Sequence, residues 1–367
     1  MAIDKIGSAG LGTNTNQPNF RNIIINGDMS IAQRATSTAS ITSNGYHTVD
    51  RFQTVASSLG TWTQSQSTDV PTGQGFATSL KMDCTTADAS PGASDELQIR
   101  QKIEGQNLQY LKKGTSSAES TTVSFWIKAT KTGTNIVELF DNDNTRQICK
   151  SFTISSSDTW EKKTLTFDGD TTGAFGNDNG ASLFLVFWLG CGSNFNSGTL
   201  STSWESGSNA NKAVGQVNHA DSTSNDWYVT GVQFEVGTSA SDFEFLPHDV
   251  NLQRCYRYCY RVNGNASDEQ QSGVVGWATA NNTLNAMMRF APELRTSPTV
   301  TESNMSQTTT GSAISLTGTF DDNDTSDCNA IGISLSADSG TPFTTGNVMF
   351  PRVNASTSAF IQFDAEL

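Results

Sequence analysis

Short stretches in which apolar and polar residues alternate recur along the chain from about residue 23 onward, and they predict β-strands. One face of residues 122–129 collects the apolar side chains Val123, Phe125, Ile127 and Ala129. The opposite face carries Ser124, Trp126 and Lys128. This period of two is the geometry of a strand with one buried and one solvated face.

Further strands follow from the same pattern. Residues 97–103 bring together Leu97, Ile99 and Ile103. Residues 162–167 bring together Leu165 and Phe167. Residues 227–236 place on one face Tyr228, Thr230, Val232, Phe234 and Val236, opposite Gln233 and Glu235. Residues 181–190 are apolar almost throughout, which predicts a strand buried on both faces.

Loops rich in Gly, Asn and Asp separate these strands, and the combination predicts an all-β chain built as an antiparallel β-sandwich. Residues 248–263 break the pattern, because apolar and cysteine positions there recur at the spacing of a short helix. We therefore assign residues 1–25 to an extended N-terminal docking arm and 26–250 to the sandwich. Residues 251–367, with strands of their own, form a smaller C-terminal β domain.

Charge excludes two classes of partner. The chain has 367 residues with a formal net charge of −14, from 22 basic and 36 acidic residues. Nucleic-acid binding draws its affinity from Lys and Arg on phosphates, and anionic membranes attract the same residues. We expect neither partner, and we expect no membrane insertion because no apolar run is long enough to span a bilayer.

The cysteines indicate buried thiols rather than disulfides. The six are scattered, apart from Cys255 and Cys259, and too sparse for a disulfide scaffold. The first residues, MAIDKIGSAGLG, carry charges where a secretion signal has its apolar core. We therefore expect assembly in a reducing cytoplasm.

Catalytic chemistry has little support, and we predict no enzyme and no catalytic residue. The three histidines, His47, His219 and His248, are far apart and match no zinc pattern. Paired carboxylates such as Asp168 and Asp170 lie in turn-like stretches; similar clusters are Asp141 with Asp143, and Asp321, Asp322 and Asp324. Asx turns explain them, a structural calcium site at Asp168 and Asp170 is an alternative, and no other cofactor is expected.

Tryptophans are the better functional clue. Seven occur, and sugars stack on such rings while Asn, Asp and Gln bind their hydroxyls. Trp188 lies in the apolar run and belongs to the core. Trp126 lies on the polar face of its strand, and Trp62 and Trp204 lie in stretches that read as polar loops. Trp62, Trp126 and Trp204 are therefore the candidate glycan-binding residues, with packing under loops or at subunit interfaces as the alternative.

Three segments carry a family resemblance. Residues 22–37 (NIIINGDMSIAQRATS) and 45–52 (GYHTVDRF) contain an N-x-x-x-N-G element, then Q-R, then G-Y-x-x-x-D-R-F. Residues 226–261 and 287–301, with the terminal FIQFDAEL, continue the match. Together they resemble a family of tailed-bacteriophage virion proteins, often described as tail-fibre proteins, notably of marine and cyanobacterial phages.

The resemblance implies a non-catalytic virion protein that forms a homotrimer. It also implies that the sandwich is a jelly roll like a carbohydrate-binding module. It implies a structural role for Asp50 and Arg51, and docking of the arm, with residues 23–32, on other virion proteins or a sister subunit. The leading hypothesis is a tail-fibre or tail-spike subunit that attaches the phage to host polysaccharide or lipopolysaccharide. The alternatives are a head-decoration or tail-adaptor protein without a receptor and, less favoured, a glycan depolymerase.

Overall fold

The computed structural model of the protein describes residues 20–280, 282–307, 313–320, 330–337 and 343–367. The chain divides into two compact units, the first ending at His248 and the second spanning Asp249–Glu366. The predicted docking arm falls largely on residues 1–19, which lie outside the described residues, as do Asp321, Asp322, Asp324 and Cys328.

The first unit forms, in its described residues, a sandwich of two six-stranded antiparallel sheets. Its strands are β1 (Ser37–Ile41), β2 (Gln53–Ser57), β3 (Thr61–Ser67), β4 (Ser79–Thr86), β5 (Glu96–Glu104), β6 (Thr121–Ala129), β7 (Gly133–Asp141), β8 (Arg146–Ile154), β9 (Glu161–Phe167), β10 (Ala181–Cys191), β11 (Glu205–Ser206) and β12 (Asp226–Val236). The first sheet has the order β1-β3-β4-β12-β6-β9, and the second has the order β11-β8-β7-β10-β5-β2. The predicted all-β jelly-roll class is confirmed.

The core of the sandwich follows the predicted alternation. Val123, Phe125 and Ile127 of β6 are completely buried between the sheets. In β10, Leu185 and Phe187 join that core, while Val186 and Trp188 on the other face join a second cluster beneath the segment that follows β10. The continuous apolar run of β10 is therefore explained by a strand covered on both faces, as predicted.

The prediction for β12 is wrong in its first half. The register shifts between Thr230 and Gln233, and Gly231 adopts a φ of 62°. This β-bulge inserts an extra position, so that Val232 and Phe234 still face the core while Tyr228 points outward. A strict period of two cannot anticipate a bulge, and it placed Tyr228 on the wrong face.

The N-terminal motif hydrogen-bonds to β12 beside this bulge. Val232 N–H donates to the Gly27 carbonyl at 2.9 Å, and the Asn22 side chain donates to the Val232 carbonyl at 3.0 Å. Ile23 N–H donates to the Phe234 carbonyl at 2.9 Å. A Cβ on Gly27 would lie 2.1 Å from the Val232 carbonyl oxygen, so only glycine fits this close approach.

This packing corrects the N-terminal boundary. Ile24, Met29 and Ile31 are buried in the first unit, with at most 3% of their surface exposed. Residues 22–31 are therefore part of the sandwich rather than a surface that docks on a particle. Any docking arm must end before Asn22.

Buried polar groups hold the rest of the motif in place. The Asn26 side chain donates to the carbonyls of Ile31 and Asp50 and accepts from Ile31 N–H. The Asp50 carboxylate accepts from Gln33 N–H at 3.0 Å, and Arg51 donates to the Lys102 carbonyl at 2.7 Å. These groups satisfy loop backbone that would otherwise be buried without partners.

The second unit begins with a helix and continues as strands. The helix, α1, spans His248–Tyr256. The strands are β13 (Cys259–Asn263), β14 (Gln270–Gln271), β15 (Val275–Ala280), β16 (Thr283–Arg289), β17 (Thr299–Ser303), β18 (Met305–Gln307), β19 (Ala313–Phe320), β20 (Ala330–Ala337), β21 (Val348–Met349), β22 (Pro351–Val353) and β23 (Phe360–Asp364). A third sheet has the order β13-β23-β17, and a fourth the order β14-β22-β18-β19-β20-β16-β15-β21.

Cys84, Cys149 and Cys191 are buried thiols, as predicted. Cys255 and Cys259 are buried in the second unit. Within the parts of the chain that the structure describes, no helix has the length and apolar character needed to cross a bilayer.

Candidate functional site

Three of the seven tryptophans are core residues. Trp62, Trp188 and Trp227 have at most 1% of their surface exposed. Trp62 was expected in a polar loop, but it lies in β3, where strand alternation turns it inward, and its Nε1 donates to the Leu59 carbonyl at 2.8 Å. Its assignment as a glycan-binding residue is therefore wrong, because a completely buried ring offers no face to a sugar.

Trp126 lies on the outer face of the first sheet, as predicted. It is opposite Thr230 of β12 and Lys162 of β9, and it is half-buried. At the next outward-facing position of β6, Lys128 is opposite Tyr228 of β12, and Tyr228 is in turn opposite Lys81 of β4. These registers gather aromatic and basic side chains at the centre of a rigid sheet.

Trp160, immediately before β9, completes this group. Its ring centroid lies 6.1 Å from that of Tyr228, at an interplanar angle of 66°. The Lys128 ammonium lies 4.3 Å from the Tyr228 centroid and 5.9 Å from that of Trp160. The Tyr228 ring is only 8% exposed, whereas Trp160 is half-buried. Trp126 and Trp160 therefore supply the accessible indoles of this surface.

Asp69 fixes the orientation of Trp160. Its carboxylate accepts a hydrogen bond from Trp160 Nε1 at 2.9 Å and pairs with Lys128. Burial raises the pKa of Asp69, but the hydrogen bonds from Lys128 and Trp160 outweigh it, so the pKa lies below its usual value. Asp69 thus stays ionised at neutral pH and holds both partners in place.

Two carboxyl groups stand side by side at the other edge of the group. Asp83 of β4 is the direct cross-strand neighbour of Asp226 of β12. Lys81 Nζ lies 3.1 Å from Asp226 and 3.9 Å from Asp83, and Tyr228 donates to Asp226 at 3.2 Å. Burial, followed by a hydrogen bond with Asp226, raises the pKa of Asp83. We call this whole surface the outer-face patch: Asp69, Lys81, Asp83, Trp126, Lys128, Trp160, Asp226 and Tyr228.

The other predicted residues meet in a separate cleft at one end of the sandwich. Trp204, Asp168 and Asp170 line it together with Lys113 and Phe175. Trp204 Nε1 donates to the Asp168 carbonyl at 2.7 Å, and the Lys113 ammonium lies 5.5 Å from the Trp204 ring centroid and 5.2 Å from that of Phe175. Trp204 is half-buried and packs against the main core, so the cleft offers little of its ring.

Asp170 is not a calcium ligand in this arrangement. Arg146 binds both of its carboxylate oxygens, at 2.7 and 3.1 Å, and Lys113 Nζ lies 3.1 Å away. Burial raises the pKa of Asp170, but the hydrogen bonds from Arg146 and the neighbouring groups outweigh it and lower the pKa. Two cations already contact the Asp170 carboxylate, whereas Asp168 is exposed, so this arrangement does not favour the calcium prediction at the pair. Among the described residues, no three His, Cys, Asp or Glu side chains are grouped to hold a metal.

The histidine that is most deeply buried has a structural partner. His219 is completely buried, and its Nε2 lies 2.8 Å from Asn135 Oδ1. Burial lowers the pKa of His219 to about 3, so the ring is neutral at physiological pH.

Sequence reasoning missed most of the outer-face patch. Trp160 stands at the end of a serine-rich turn, where its side-chain direction depends on the strand that follows. Tyr228 was placed inward because of the bulge in β12. Asp69, Asp83 and Asp226 carry no motif, and only the pairing of β4, β12 and β6 brings them beside the rings.

Neither a protein-family model nor a curated protein matches the chain. Among solved structures, the enzymatically active domain of tailspike protein 4 of bacteriophage CBA120 is similar, with a TM-score of 0.32 and 13% identity. That match covers 59% of this chain and only 22% of the tailspike chain.

Sugar-binding structures are similar at the same level. A putative sugar-binding protein from Bacteroides thetaiotaomicron has a TM-score of 0.31 and 12% identity, over 59% of this chain and 100% of its own. A family 11 carbohydrate-binding module from Clostridium thermocellum has a TM-score of 0.26 and 9% identity, over 56% and 98%. Superpositions this weak leave the function to be inferred from the residues of this chain.

Proposed function

We propose that the protein binds glycan through the outer-face patch. The observation that carries this proposal is the grouping of two half-buried indoles with charged side chains on the outer face of the first sheet: Trp126 lies on β6, and Trp160, just before β9, is held by Asp69. Sugar rings present apolar C–H faces to indoles, and their hydroxyls take up hydrogen bonds at the ring edge. A sheet holds such groups more firmly than a loop does.

The charges of the patch suggest the class of glycan. Its members include three carboxyl groups, Asp69, Asp83 and Asp226, and two ammonium groups, Lys81 and Lys128. These charges are already paired with one another, so the patch has no surplus of positive charge for a polyanion. Together with the net charge of −14, this favours a neutral or amino-sugar polysaccharide.

We place this binding in a phage virion, as a tail-fibre or tail-spike subunit that attaches the particle to host polysaccharide or lipopolysaccharide. The support is the resemblance of residues 22–37 and 45–52; of the motif residues, Asn22 and Gly27 hydrogen-bond to β12. Several copies per particle, as in a homotrimer, would turn weak sugar affinities into stable attachment through avidity.

The test is an array printed with purified bacterial lipopolysaccharides and capsular polysaccharides, probed with the full chain. For any glycan bound, Trp126→Ala and Trp160→Ala should each weaken the affinity about tenfold, the effect of losing roughly 1.4 kcal/mol of stacking. Tyr110→Ala is the matched control, because Tyr110 is an exposed aromatic residue of the first unit that lies outside the outer-face patch.

Equal loss in the control, or full affinity in both Trp126 and Trp160 variants, would refute the outer-face patch as the site. No binding to any host glycan, combined with gold labelling of the capsid or neck in immunoelectron microscopy of intact phage, would favour the decoration or adaptor role instead.

A further inference from the structure

Exposed apolar side chains concentrate on one face of the fourth sheet. Among the described residues, eight large apolar side chains are exposed, and five lie on or beside β15, β16 and β21. They are Val275 (50% exposed), Trp277 (44%), Met287 (39%), Val348 (60%) and Phe350 (44%). We call these five residues the apolar face.

Strand pairing makes this face continuous. Val275 is directly opposite Met287, and Trp277 is directly opposite Val348. Residues next to them along the strands, such as Ala278 and Met349, are buried in the core of the second unit. Because successive strand residues point to opposite faces, the exposed set cannot turn inward without exposing that core.

The size and composition of the face match the centre of a protein interface. Aromatic side chains bury about 150–250 Å² each, so five large side chains exposed by about half offer roughly 400 Å². A patch of this size is comparable to the largest apolar patch on a typical soluble monomer, and such patches often have a function. Trp, Phe and Met are enriched at interface centres, and Lys, Asp and Glu are depleted there.

Charge indicates which partner fits. The eight strands of the fourth sheet contain no Asp or Glu, although the chain carries 36 acidic residues. Two copies of a chain with a net charge of −14 repel each other over most of their surface. Two copies can therefore approach at these strands without a strand residue that carries a carboxylate, and the neighbouring Glu269 is paired with Arg352 of β22.

We propose that the apolar face is where a second copy of this chain binds. The copies meet at Val275, Trp277, Met287, Val348 and Phe350, and the desolvation of these side chains drives the association. This assembly is separate from glycan binding at the first unit, but it supplies the multiple copies from which avidity arises. The direct cross-strand neighbours of Trp277 are Val348 of β21 and Asn285 of β16, and the Asn285 side chain already accepts a hydrogen bond from Ser334.

Sedimentation velocity of the full chain over a range of protein concentrations tests this assembly. The wild-type chain should form a defined oligomer. Val348→Asp places a charge at the most exposed position of the face and should raise the dissociation constant at least about tenfold, while circular dichroism and melting stay those of a folded protein. The Val348→Thr side chain has nearly the same shape as valine, so this variant should weaken assembly less. It provides a second measurement if Val348→Asp does not fold.

Tyr110→Asp is the matched control, because Tyr110 is an exposed aromatic residue of the first unit that is 38% exposed. It should leave the oligomer unchanged. A monomeric wild-type chain, or an oligomer that survives both Val348 variants, would overturn the proposal. A weaker glycan affinity of the monomeric Trp277→Ala chain than of the monomeric Val348→Asp chain would overturn it as well, because it would make Trp277 a sugar contact. The array result with Trp126→Ala remains interpretable in every case, since it reports on the first unit.

Discussion

The outer-face patch of the first unit and the apolar face of the second unit both present tryptophan on a β-sheet, but their neighbours differ. Trp160 receives its orientation from Asp69 and stands beside Lys128. Trp277 is directly opposite Val348 on one side and Asn285 on the other, and the rest of its face is apolar, with Val275, Met287 and Phe350. Indoles bordered by hydrogen-bonding groups suit a wet ligand such as sugar, whereas indoles bordered by aliphatic groups suit a dry protein contact.

The comparison teaches that residue type alone does not distinguish a binding site from an interface. Seven tryptophans divide into core residues such as Trp62, half-buried residues such as Trp126, and the exposed Trp277. The surrounding strands determine which group each belongs to, and therefore what each can bind.

The largest expected effect concerns a third region that contains a tryptophan, the cleft lined by Trp204, Asp168 and Asp170, whose charged groups we regard as structural. Asp170→Ala should lower the free energy of unfolding by about 3–5 kcal/mol, because it leaves the half-buried Arg146 without its carboxylate and removes one of the carboxylates that contact the buried Lys113. Urea denaturation measures this loss. Glycan affinity at the outer-face patch should not change in the fraction that remains folded.

Asp168→Ala is the control for the cleft, since Asp168 is exposed and Trp204 uses only its carbonyl. Its cost should stay within about 0.5 kcal/mol. Calcium or a chelator should leave the melting temperature of the wild-type chain unchanged. A calcium-dependent rise that Asp170→Ala abolishes would restore the metal site and make the cleft a functional region.

A smaller effect is expected where residues 22–27 hydrogen-bond to β12 beside its bulge. Gly27→Ala should cost about 3 kcal/mol, because the added methyl would lie 2.1 Å from the Val232 carbonyl oxygen. Gly318→Ala is the control: it lies in β19 of the second unit, and a Cβ there meets no atom within 4 Å. If Gly27→Ala unfolds at the wild-type urea concentration, residues 22–27 do not hold β12 as described.

The smallest expected effects are on how thermal stability depends on pH, and they should have opposite signs for Asp69 and Asp83 of the outer-face patch. The folded-state pKa of Asp69 is lowered, so its stabilising contribution is present above the ordinary carboxyl pKa of 3.8 and is lost as pH falls through the folded-state value. Asp69→Asn should therefore melt below wild type at neutral pH, and the difference should vanish in acid.

Asp83 should behave in the opposite sense. Its folded-state pKa is raised, so its stabilising contribution is present below 3.8 and is lost as pH rises through the folded-state value. Asp83→Asn should melt slightly above wild type at neutral pH and lose that advantage in acid. The shifts should be small, because both carboxyl groups are partly solvated. Parallel pH profiles for the two variants would contradict the described pairing.

The sequence by itself determined the fold class and much of the core. Alternation in β6 and the unbroken apolar run of β10 predicted one strand with a solvated face and one covered on both faces. Both follow from local chemistry, because side-chain direction in a regular strand repeats every two residues. The strands of the second unit, such as β16 and β20, were read from the same signal.

Only the tertiary structure decided which residues meet. The bulge at Gly231 turned Tyr228 outward, and it exists because Gly27 and Asn22, some two hundred positions earlier, satisfy its backbone. Asp170 looked like a metal ligand until folding brought Arg146 and Lys113 to it. Such contacts join residues far apart in the chain, and their geometry depends on sheet register and packing, for which a single sequence carries no local signal.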